Sequence, residues 1–305
     1  MGLFSKLFGG GKKVGPPGFK KKKEKLPIVD LAKRFELRNR TGQGSMSKCW
    51  YAYDNNLGRM VCLKLLDKLK TAKFEERFSN QGLDKPSEGA VCSMLKHPNC
   101  VATYEYGRTT QGEPYLVMEW IEGLGLNYLI ETKSPQLKGN RVNYLKQLCD
   151  AVQYLHSIKF LHRDLCPRNV MVTKEGEVKL IDFGLTIPYT PDYCKPGNRT
   201  GTADYLAPEI IKRQSTDHRV DIFALGVTAY EIFTGLLPWE RSLSSEETLR
   251  KHLNTPARDP QDLNPDLDDD LCAILRKAIA KEPAGRFSSA QAFKEALEGL
   301  GRQDY

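Results

Sequence analysis

Three oxygen-bearing side chains in two nearby segments could act together on a phosphate group. Asp164 and Asn169 lie in "HRDLCPRN", and Asp182 follows thirteen residues after Asn169 in "IDFG". Carboxylate and amide oxygens can hold Mg²⁺, and a further carboxylate can orient an attacking hydroxyl. The intervening "VMVTKEGEVKLI" predicts a hairpin that turns at Glu175–Gly176 and brings the three side chains into one cleft. Each residue alone would more often form a turn or a cap, so their joint order and spacing indicate phosphoryl transfer.

A glycine-containing segment could lie against the phosphates. "TGQGSMSKCW" falls between two predicted strands, and Gly42 and Gly44 would let the backbone approach a ligand closely. A two-glycine loop is weak evidence by itself, because a plain hairpin is the commoner explanation. A dinucleotide-binding βαβ unit is excluded, since this loop leads into a strand and not into a helix.

A lysine on an apolar strand needs an explanation. Lys64 ends "VCLK", and an inward-facing lysine requires an anionic partner. Glu88, on the predicted helix that precedes "HPN", is the candidate. The alternative is that Lys64 extends its ammonium to water and that Glu88 is solvated.

The order of predicted elements places these residues in two lobes. Short strand-like runs fill residues 35–119, with one helical segment at about Ser87–Lys96, and helical patterns dominate after Gly125. The expected fold class is therefore α+β and bilobal, with a small β-rich N-terminal lobe (about 34–120) containing one key helix and a larger helical lobe (about 124–300).

Taken together, the motifs resemble the eukaryotic-type (Hanks-type) serine/threonine protein kinases, in the form common in bacteria. The resemblance covers about residues 34–300 and includes "MEWI" at the position of the hinge and "GTADYLAPE" at the end of an activation segment. It implies the bilobal kinase fold, ATP as the phosphoryl donor, Mg²⁺ as the metal and proteins as substrates.

The resemblance also implies a role for each matched residue. Asp164 is the catalytic aspartate, Asn169 and Asp182 bind the metal, and Lys64 binds the α- and β-phosphates while pairing with Glu88. Met118 is the gatekeeper, and the backbone of Glu119 and Ile121 meets adenine. The full set expected to contact the nucleotide is Gly42, Gln43, Gly44, Ser45, Cys49, Cys62, Lys64, Glu88, Met118, Glu119, Ile121 and Met171.

Three further positions in the resemblance concern the architecture around the catalytic aspartate. Thr202 is expected to bond to Asp164 and to shape the site for the short hydroxyl of serine or threonine. Asp221 is expected to brace the catalytic loop. Arg286 is expected to pair with Glu209 of the "APE" segment, a segment that related small-molecule phosphotransferases lack.

The chain departs from the family pattern at Cys166, where serine/threonine kinases carry lysine two residues after the catalytic aspartate. A thiol cannot offset charge on the transferred phosphate. Arg168 occupies the position at which tyrosine kinases place an arginine, whereas Pro167 is typical of serine/threonine kinases. We hypothesise that Arg168 supplies the missing cation and count it with the catalytic residues. The alternative is that Arg168 only contacts the surface and that another cation, or Mg²⁺ alone, suffices.

Other departures are smaller. Ser47 replaces the third glycine, Cys49 and Cys62 replace small apolar residues around adenine, and Cys92 replaces a larger apolar residue near Glu88. A pseudokinase that acts as a nucleotide-responsive scaffold is the main alternative function. Its usual signature is loss of the lysine or of one of the two aspartates, and this chain retains all three.

Arg163 precedes the catalytic aspartate, and in the family such an arginine often meets a phosphate on the activation segment. Thr200 is the candidate for that phosphate, with Thr190 as the second choice, so autophosphorylation is expected between Asp182 and Thr202. An activation segment that stays unmodified is the alternative.

The net charge of +8 is concentrated at the N-terminus, where residues 1–25 contain eight lysines and one acidic residue. We expect a flexible basic tail over residues 1–33 and a short C-terminal end at 301–305. Leu3, Phe4, Leu7 and Phe8 precede the lysines, a pattern that suits contact with an anionic membrane surface, although a disordered solubilising tail would have the same composition. Because the remaining chain is near neutral, no specific nucleic-acid partner is expected.

The absence of long apolar runs limits the expected cellular location of the protein. No run approaches the roughly 18 residues of a spanning helix, and no secretory leader precedes the domain. Eight scattered cysteines without a CxxC pair favour a reducing compartment. The expected location is cytoplasmic, with peripheral contact at the inner membrane surface through the tail as a further possibility.

Overall fold

The structure is a computed structural model, and it describes residues 26–43, 47–302 and 304. The first lobe contains six strands: β1 (Ile28–Val29), β2 (Phe35–Gln43), β3 (Ser47–Asp54), β4 (Arg59–Leu66), β5 (Thr103–Thr109) and β6 (Pro114–Glu119). They form one sheet in the order β1-β5-β6-β4-β3-β2, in which β1 and β5 are parallel and every other neighbouring pair is antiparallel.

The alternation of side chains on β4 gives this sheet two different faces. Val61 and Leu63 are fully buried in a small core with Ala52 and Val117. Cys62, between them, packs instead against the large core that continues into the second lobe. The face that carries Cys62 therefore looks toward the cleft between the lobes.

Three helices accompany this sheet: α1 (Leu31–Arg34), α2 (Lys68–Ser79) and α3 (Glu88–Met94). The sequence pattern predicts one helix in this lobe, whereas the structure contains α2 as well. Asp67 caps α2 by accepting hydrogen bonds from the backbone of Leu69 and Lys70. Its two buried side chains, Phe74 and Phe78, are four residues apart and therefore lie on one face.

The N-terminal boundary also differs from the expectation. Ile28 of β1 pairs with Arg108 of β5, and Asp30 caps α1. Residues 28–33, assigned to the flexible tail from their sequence, thus belong to the first lobe. The lysine-rich segment of residues 1–25, with its proposed membrane contact, lies outside the described residues.

The second lobe is mainly helical. Its helices are α4 (Leu126–Glu131), α5 (Arg141–Ser157), α6 (Pro208–Ile211), α7 (Arg219–Thr234), α8 (Ser245–Asn254), α9 (Pro260–Leu263), α10 (Asp269–Ala278) and α11 (Ala290–Gly299). Its short strands are β7 (Gly123–Gly125), β8 (Phe160–Leu161), β9 (Val170–Thr173), β10 (Val178–Leu180) and β11 (Ile187–Pro188). The α+β, bilobal fold class is confirmed.

Two features of this lobe position the residues of interest. The predicted hairpin is present, since β9 and β10 pair antiparallel around a turn that includes Gly176 at φ 85°. Helix α7 is buried at every residue from 220 to 230 and forms the centre of the lobe. No described helix has the length and apolar character needed to cross a bilayer.

Candidate active site

An ion pair links the sheet of the first lobe to α3. Lys64 Nζ lies 2.6 Å from Glu88 Oε1 and 3.1 Å from Asp182 Oδ1. Glu88 is the first residue of α3, and Ser87 caps that helix. Burial alone would lower the pKa of Lys64, but Asp182 and Glu88 outweigh it and raise this pKa well above its usual value. Lys64 is therefore a fixed positive charge between the carboxylate of Glu88 on α3 and that of Asp182 in the segment after β10.

Asp182 has a backbone conformation that non-glycine residues seldom adopt, with φ at 63°. Its Oδ1 accepts a hydrogen bond from Gly184 N–H at 3.1 Å. Burial would raise the pKa of Asp182, but Lys64 and the Gly184 amide hold it below the usual value. The next residue, Phe183, is fully buried and its ring meets His162 at 5.3 Å. This packing holds the Asp182 carboxylate at the cleft.

The Asp164 carboxylate is held from two sides. Thr202 donates to Asp164 Oδ1 from its backbone N–H and from its hydroxyl, each at 2.8 Å. Asn169 Nδ2 donates to the Asp164 carbonyl at 2.8 Å and to Oδ2 at 3.1 Å. Because the amide nitrogen of Asn169 makes both of these bonds, its Oδ1 is the atom that could ligate a metal.

Asp221, near the start of α7, braces the loop that carries Asp164. It accepts hydrogen bonds from the backbone of His162 and Arg163, at 2.9 and 3.0 Å, and contacts His156 Nε2 at 2.9 Å. Burial would raise the pKa of Asp221, but these donors outweigh it and lower the pKa. This loop contains a residue in the left-handed region, Arg163 at φ 71°, and the bonds to Asp221 stabilise its conformation.

A cavity of about 90 Å³ brings most of these groups together. Its lining includes Lys64, Glu88, Asp164 and Asp182, together with Ser47. Four other residues of this lining are not predicted by the sequence motifs and come from α2 and the loop after it: Thr71, Phe74, Glu75 and Lys85. The caps and the Phe74–Phe78 spacing of α2 were the signals that could have found them.

The residues expected to contact adenine lie on neighbouring strands. Cys49 on β3 lies opposite Lys64, and Cys62 on β4 lies opposite Met118 on β6. The Cys49 and Cys62 thiols share a hydrogen bond, which lowers the pKa of Cys49. Met171, on β9, is placed opposite Gly125.

The hinge has one backbone group already in use. Glu119 N–H donates to the Ala102 carbonyl at 2.9 Å, so at this residue the amide is not available to a ligand. Ile121, two residues later, is buried. Of the glycine segment, Gly42 and Gln43 end strand β2, whereas Gly44 and Ser45 lie outside the described residues.

Cys166 and Arg168 differ strongly in their surroundings. Cys166 is 3% exposed, and burial raises the pKa of its thiol to about 12, so the side chain is neutral near pH 7. Arg168 lies in a short 3₁₀ turn, Pro167–Asn169, with its side chain exposed. Arg168 does not line the cavity that contains Asp164.

Two arginines organise the segment that follows Asp182. Arg286 makes a bidentate pair with Glu209, at 2.7 and 2.8 Å. Arg163 is 6% exposed, and its Nη2 donates to the Asn198 carbonyl at 3.1 Å, while its Nε has no partner among the described residues. Thr200 lies close by and donates its hydroxyl to Asn198 Oδ1 at 2.8 Å.

Comparison with known proteins agrees with this geometry. The family model described as "Protein kinase domain" matches residues 35–297. The serine/threonine-protein kinase PknA of Mycobacterium tuberculosis is 31% identical over 280 residues, which are 89% of this chain and 62% of PknA. Pkn3 of Myxococcus xanthus is 29% identical over 290 residues, or 90% of this chain and 51% of Pkn3. PknB of Mycobacterium leprae is 31% identical over 274 residues, or 88% and 43%.

These relatives are longer, and the chain spans about half the length of several of them. The match nevertheless includes both lobes and every motif around the cavity. On this evidence the chain belongs to the protein kinase family and is similar over most of its length to serine/threonine-protein kinases.

Proposed function

We propose that this chain is an ATP- and Mg²⁺-dependent kinase that transfers the γ-phosphate to serine or threonine hydroxyls of proteins. The observation that carries the proposal is the single constellation formed by Lys64, Glu88, Asp182 and Asp164. The Lys64–Glu88 pair and the inward-facing Asp182 are the arrangement that an active kinase requires.

Each residue then has a defined task. Lys64, kept charged by its two carboxylate neighbours, binds oxygens of the α- and β-phosphates. Asp164 accepts a hydrogen bond from the attacking hydroxyl and orients it toward the γ-phosphate. Thr202, bonded to the other side of that carboxylate, fixes its orientation and leaves room for a short acceptor side chain.

The donor set fits Mg²⁺, which prefers carboxylate and amide oxygens. Asp182 offers an oxygen at the cleft and Asn169 offers Oδ1, since its Nδ2 is engaged with Asp164. When bound, the metal neutralises charge on the phosphates. For the nucleotide base we assign Cys49, Cys62, Met118 and Met171 to the adenine wall, with backbone contacts at Glu119 and Ile121.

The glycine segment completes the proposed nucleotide site. Gly42, Gln43, Gly44 and Ser45 follow one another where strand β2 ends, and β3 begins soon afterwards at Ser47, which lines the cavity with Lys64. We assign to these four residues the backbone contacts with the phosphates.

Autophosphorylation is part of the proposal. A buried guanidinium is stabilised by an anion, yet the Arg163 guanidinium donates to a neutral carbonyl, and its Nε has no hydrogen-bond partner in the part of the chain that the structure describes. Thr200 is two residues from that carbonyl, so a phosphate on Thr200 would bring an anion to Arg163. The N-terminal tail is proposed to contact anionic membrane surfaces, which would place the protein at the inner face of a membrane.

One experiment tests the activity and its alternative together. The protein is incubated with labelled ATP, Mg²⁺ and a mixed protein substrate, and the labelled residues are mapped by mass spectrometry. We expect label on serine and threonine of the substrate and on Thr200, and none with Asp164→Asn. ATP binding without any transfer by the wild type would instead indicate the pseudokinase, and label confined to small molecules would refute a protein kinase.

A further inference from the structure

A second cavity lies beside the activation segment, outside the ATP cleft. It measures about 310 Å³ and lies between α2 and residues 192–199. We call it the basic groove, because its lining includes Arg77, Lys195, Arg199 and Arg213. These four cations come from three separate parts of the chain, so the fold brings them to one place.

The described lining of the basic groove contains more basic than acidic side chains. Its one acidic lining residue, Asp192, is already paired with Lys195 at 2.7 Å. Arg213 Nη1 donates to the carbonyl of Gly197 at 3.2 Å, which is a neutral partner. Arg77 and Arg199 are exposed. A concave surface with this excess of one charge attracts ligands of the opposite charge.

Two aromatic side chains of the groove lining are packed together. Phe78 of α2 meets Tyr193 with ring centroids 5.8 Å apart, and both side chains are buried. The Tyr193 hydroxyl is buried and has no hydrogen-bond partner among the described residues. A cavity of about 310 Å³ with cations from three parts of the chain suits a peptide segment better than a small free anion, because several acidic side chains of a peptide can meet these cations at once.

The groove is also close to the site of transfer. Asn198 lines it, and Thr202, four residues later, bonds to Asp164. Four residues of extended chain span at most about 14 Å. A segment in the groove and an acceptor hydroxyl at Asp164 can therefore belong to one substrate chain.

We propose that the basic groove binds an acidic segment of the protein substrate, a few residues away from the acceptor hydroxyl. This inference rests on the proposed kinase function and names the substrate class for it. The chain's own N-terminal tail is not the occupant, because its eight lysines carry the same charge as the groove.

The test compares two acceptor peptides that differ at one segment. Both contain the same serine or threonine acceptor; one carries four glutamates about six residues away and the other carries four glutamines. The KM of the wild type should be lower for the glutamate peptide than for the glutamine peptide, by roughly two- to fivefold for each exposed charge contact. The kcat should be similar for the two peptides. The preference should weaken between about 0.05 and 0.3 M salt.

Charge reversal tests whether the basic groove causes the preference for the glutamate peptide. Arg77→Glu with Arg199→Glu should abolish the preference, and the same variant should favour a peptide with four lysines. Lys133→Glu with Lys138→Glu, an equal change of charge at two exposed residues outside the groove lining, should keep the wild-type preference. Arg77→Gln with Arg199→Gln provides a milder pair if the reversal disturbs folding.

The outcomes separate this inference from the proposed function. Wild-type protein that phosphorylates neither peptide contradicts the kinase activity itself. Equal phosphorylation of both peptides leaves that activity intact and overturns the groove. An equal loss of preference in Lys133→Glu with Lys138→Glu would also overturn it, because the preference would then come from overall charge.

Discussion

Thr202 donates two hydrogen bonds to a single oxygen of Asp164, one from its backbone N–H and one from its hydroxyl, and both are 2.8 Å long. Only the second depends on the side chain. These bonds connect the activation segment to the carboxylate that is proposed to orient the acceptor. The orientation of the Asp164 carboxylate therefore depends on the conformation of the activation segment.

Thr202→Ala should lower kcat by about ten- to a hundredfold, since hydrogen bonds to charged groups contribute roughly 1.5–3 kcal/mol. The KM for ATP should change little, because Thr202 does not line the cavity that contains Lys64. Thr202→Ser retains the hydroxyl and should retain most of the turnover. Steady-state kinetics on a peptide substrate give all three values, and a kcat of Thr202→Ala within twofold of wild type would contradict the role.

The packing of α2 on the activation segment gives a prediction about stability. Phe78 is 4% exposed and packs against Tyr193, so Phe78→Ala should lower the free energy of unfolding by about 3 kcal/mol. Leu69→Ala, on the same helix but at an 80% exposed position, should change it by less than about 0.5 kcal/mol. Urea unfolding measures both, and equal effects would show that α2 is not anchored through Phe78.

Helix α2 also shows where reasoning from the sequence reached its limit. The residues of the cleft could be predicted, because Asp164, Asn169, Asp182 and Lys64 occur in motifs whose spacing is specific. Half of the residues of helix α2 are charged, and its buried side chains pack with Leu161 and Ile187, which are distant in the sequence. Local periodicity contains no information about such partners.

The boundary of the first lobe was missed for a related reason. Strand β1 is two residues long and is defined by its pairing with β5, about eighty residues later. Arg34, which the structure places between Asp54 and Glu105, stabilises that end of the sheet. A contact of this kind depends on the folded arrangement, whereas composition alone made residues 28–33 resemble the lysine-rich tail.

The stability of the second lobe should depend on pH through His252. This residue is 2% exposed, and burial lowers its pKa from 6.5. The unfolded chain therefore binds a proton at His252 at pH values where the folded protein does not, and stability is lost as the pH falls below about 6.5. The loss continues until the pH passes the lower, folded-state pKa.

His252→Gln removes this titration. The decrease in the free energy of unfolding between about pH 7.5 and pH 5.5 should be smaller in the variant than in the wild type. Urea midpoints at the two pH values give the comparison, with His218→Gln as a control at a histidine that is less buried. An unchanged pH dependence in His252→Gln would rule out His252 as a source of it.

The tail can be tested separately from catalysis. The test compares the full-length protein with a truncated variant that lacks residues 1–25. The variant should lose no further residues, because the Pro27 carbonyl accepts a hydrogen bond from Arg108 N–H in the folded lobe. Each lysine near anionic lipid contributes at most about 1 kcal/mol, so loss of eight lysines should abolish binding to vesicles with anionic headgroups. Peptide phosphorylation should be unaffected. Equal vesicle binding by the full-length and truncated proteins would refute the anchor.

The loop "DLCPRN" leads to the last prediction. Cys166 is buried and neutral, so it cannot provide the positive charge that stabilises the transferring phosphate. Arg168 is two residues away, and its exposed side chain leaves it able to move when substrate and nucleotide bind. We therefore still expect Arg168 to supply the cation.

Removing one donor that stabilises charge in the transition state costs roughly 3 kcal/mol, or about a hundredfold in rate. Arg168→Ala should therefore lower turnover far more than it weakens ATP binding, Arg168→Lys should keep most of the turnover, and Cys166→Lys in the Arg168→Ala background should restore part of it. Arg250→Ala, at another exposed arginine, serves as the matched control. A side chain that replaces the missing lysine must lower turnover when it is removed. Full turnover of a correctly folded Arg168→Ala would therefore show that Mg²⁺ or another cation suffices.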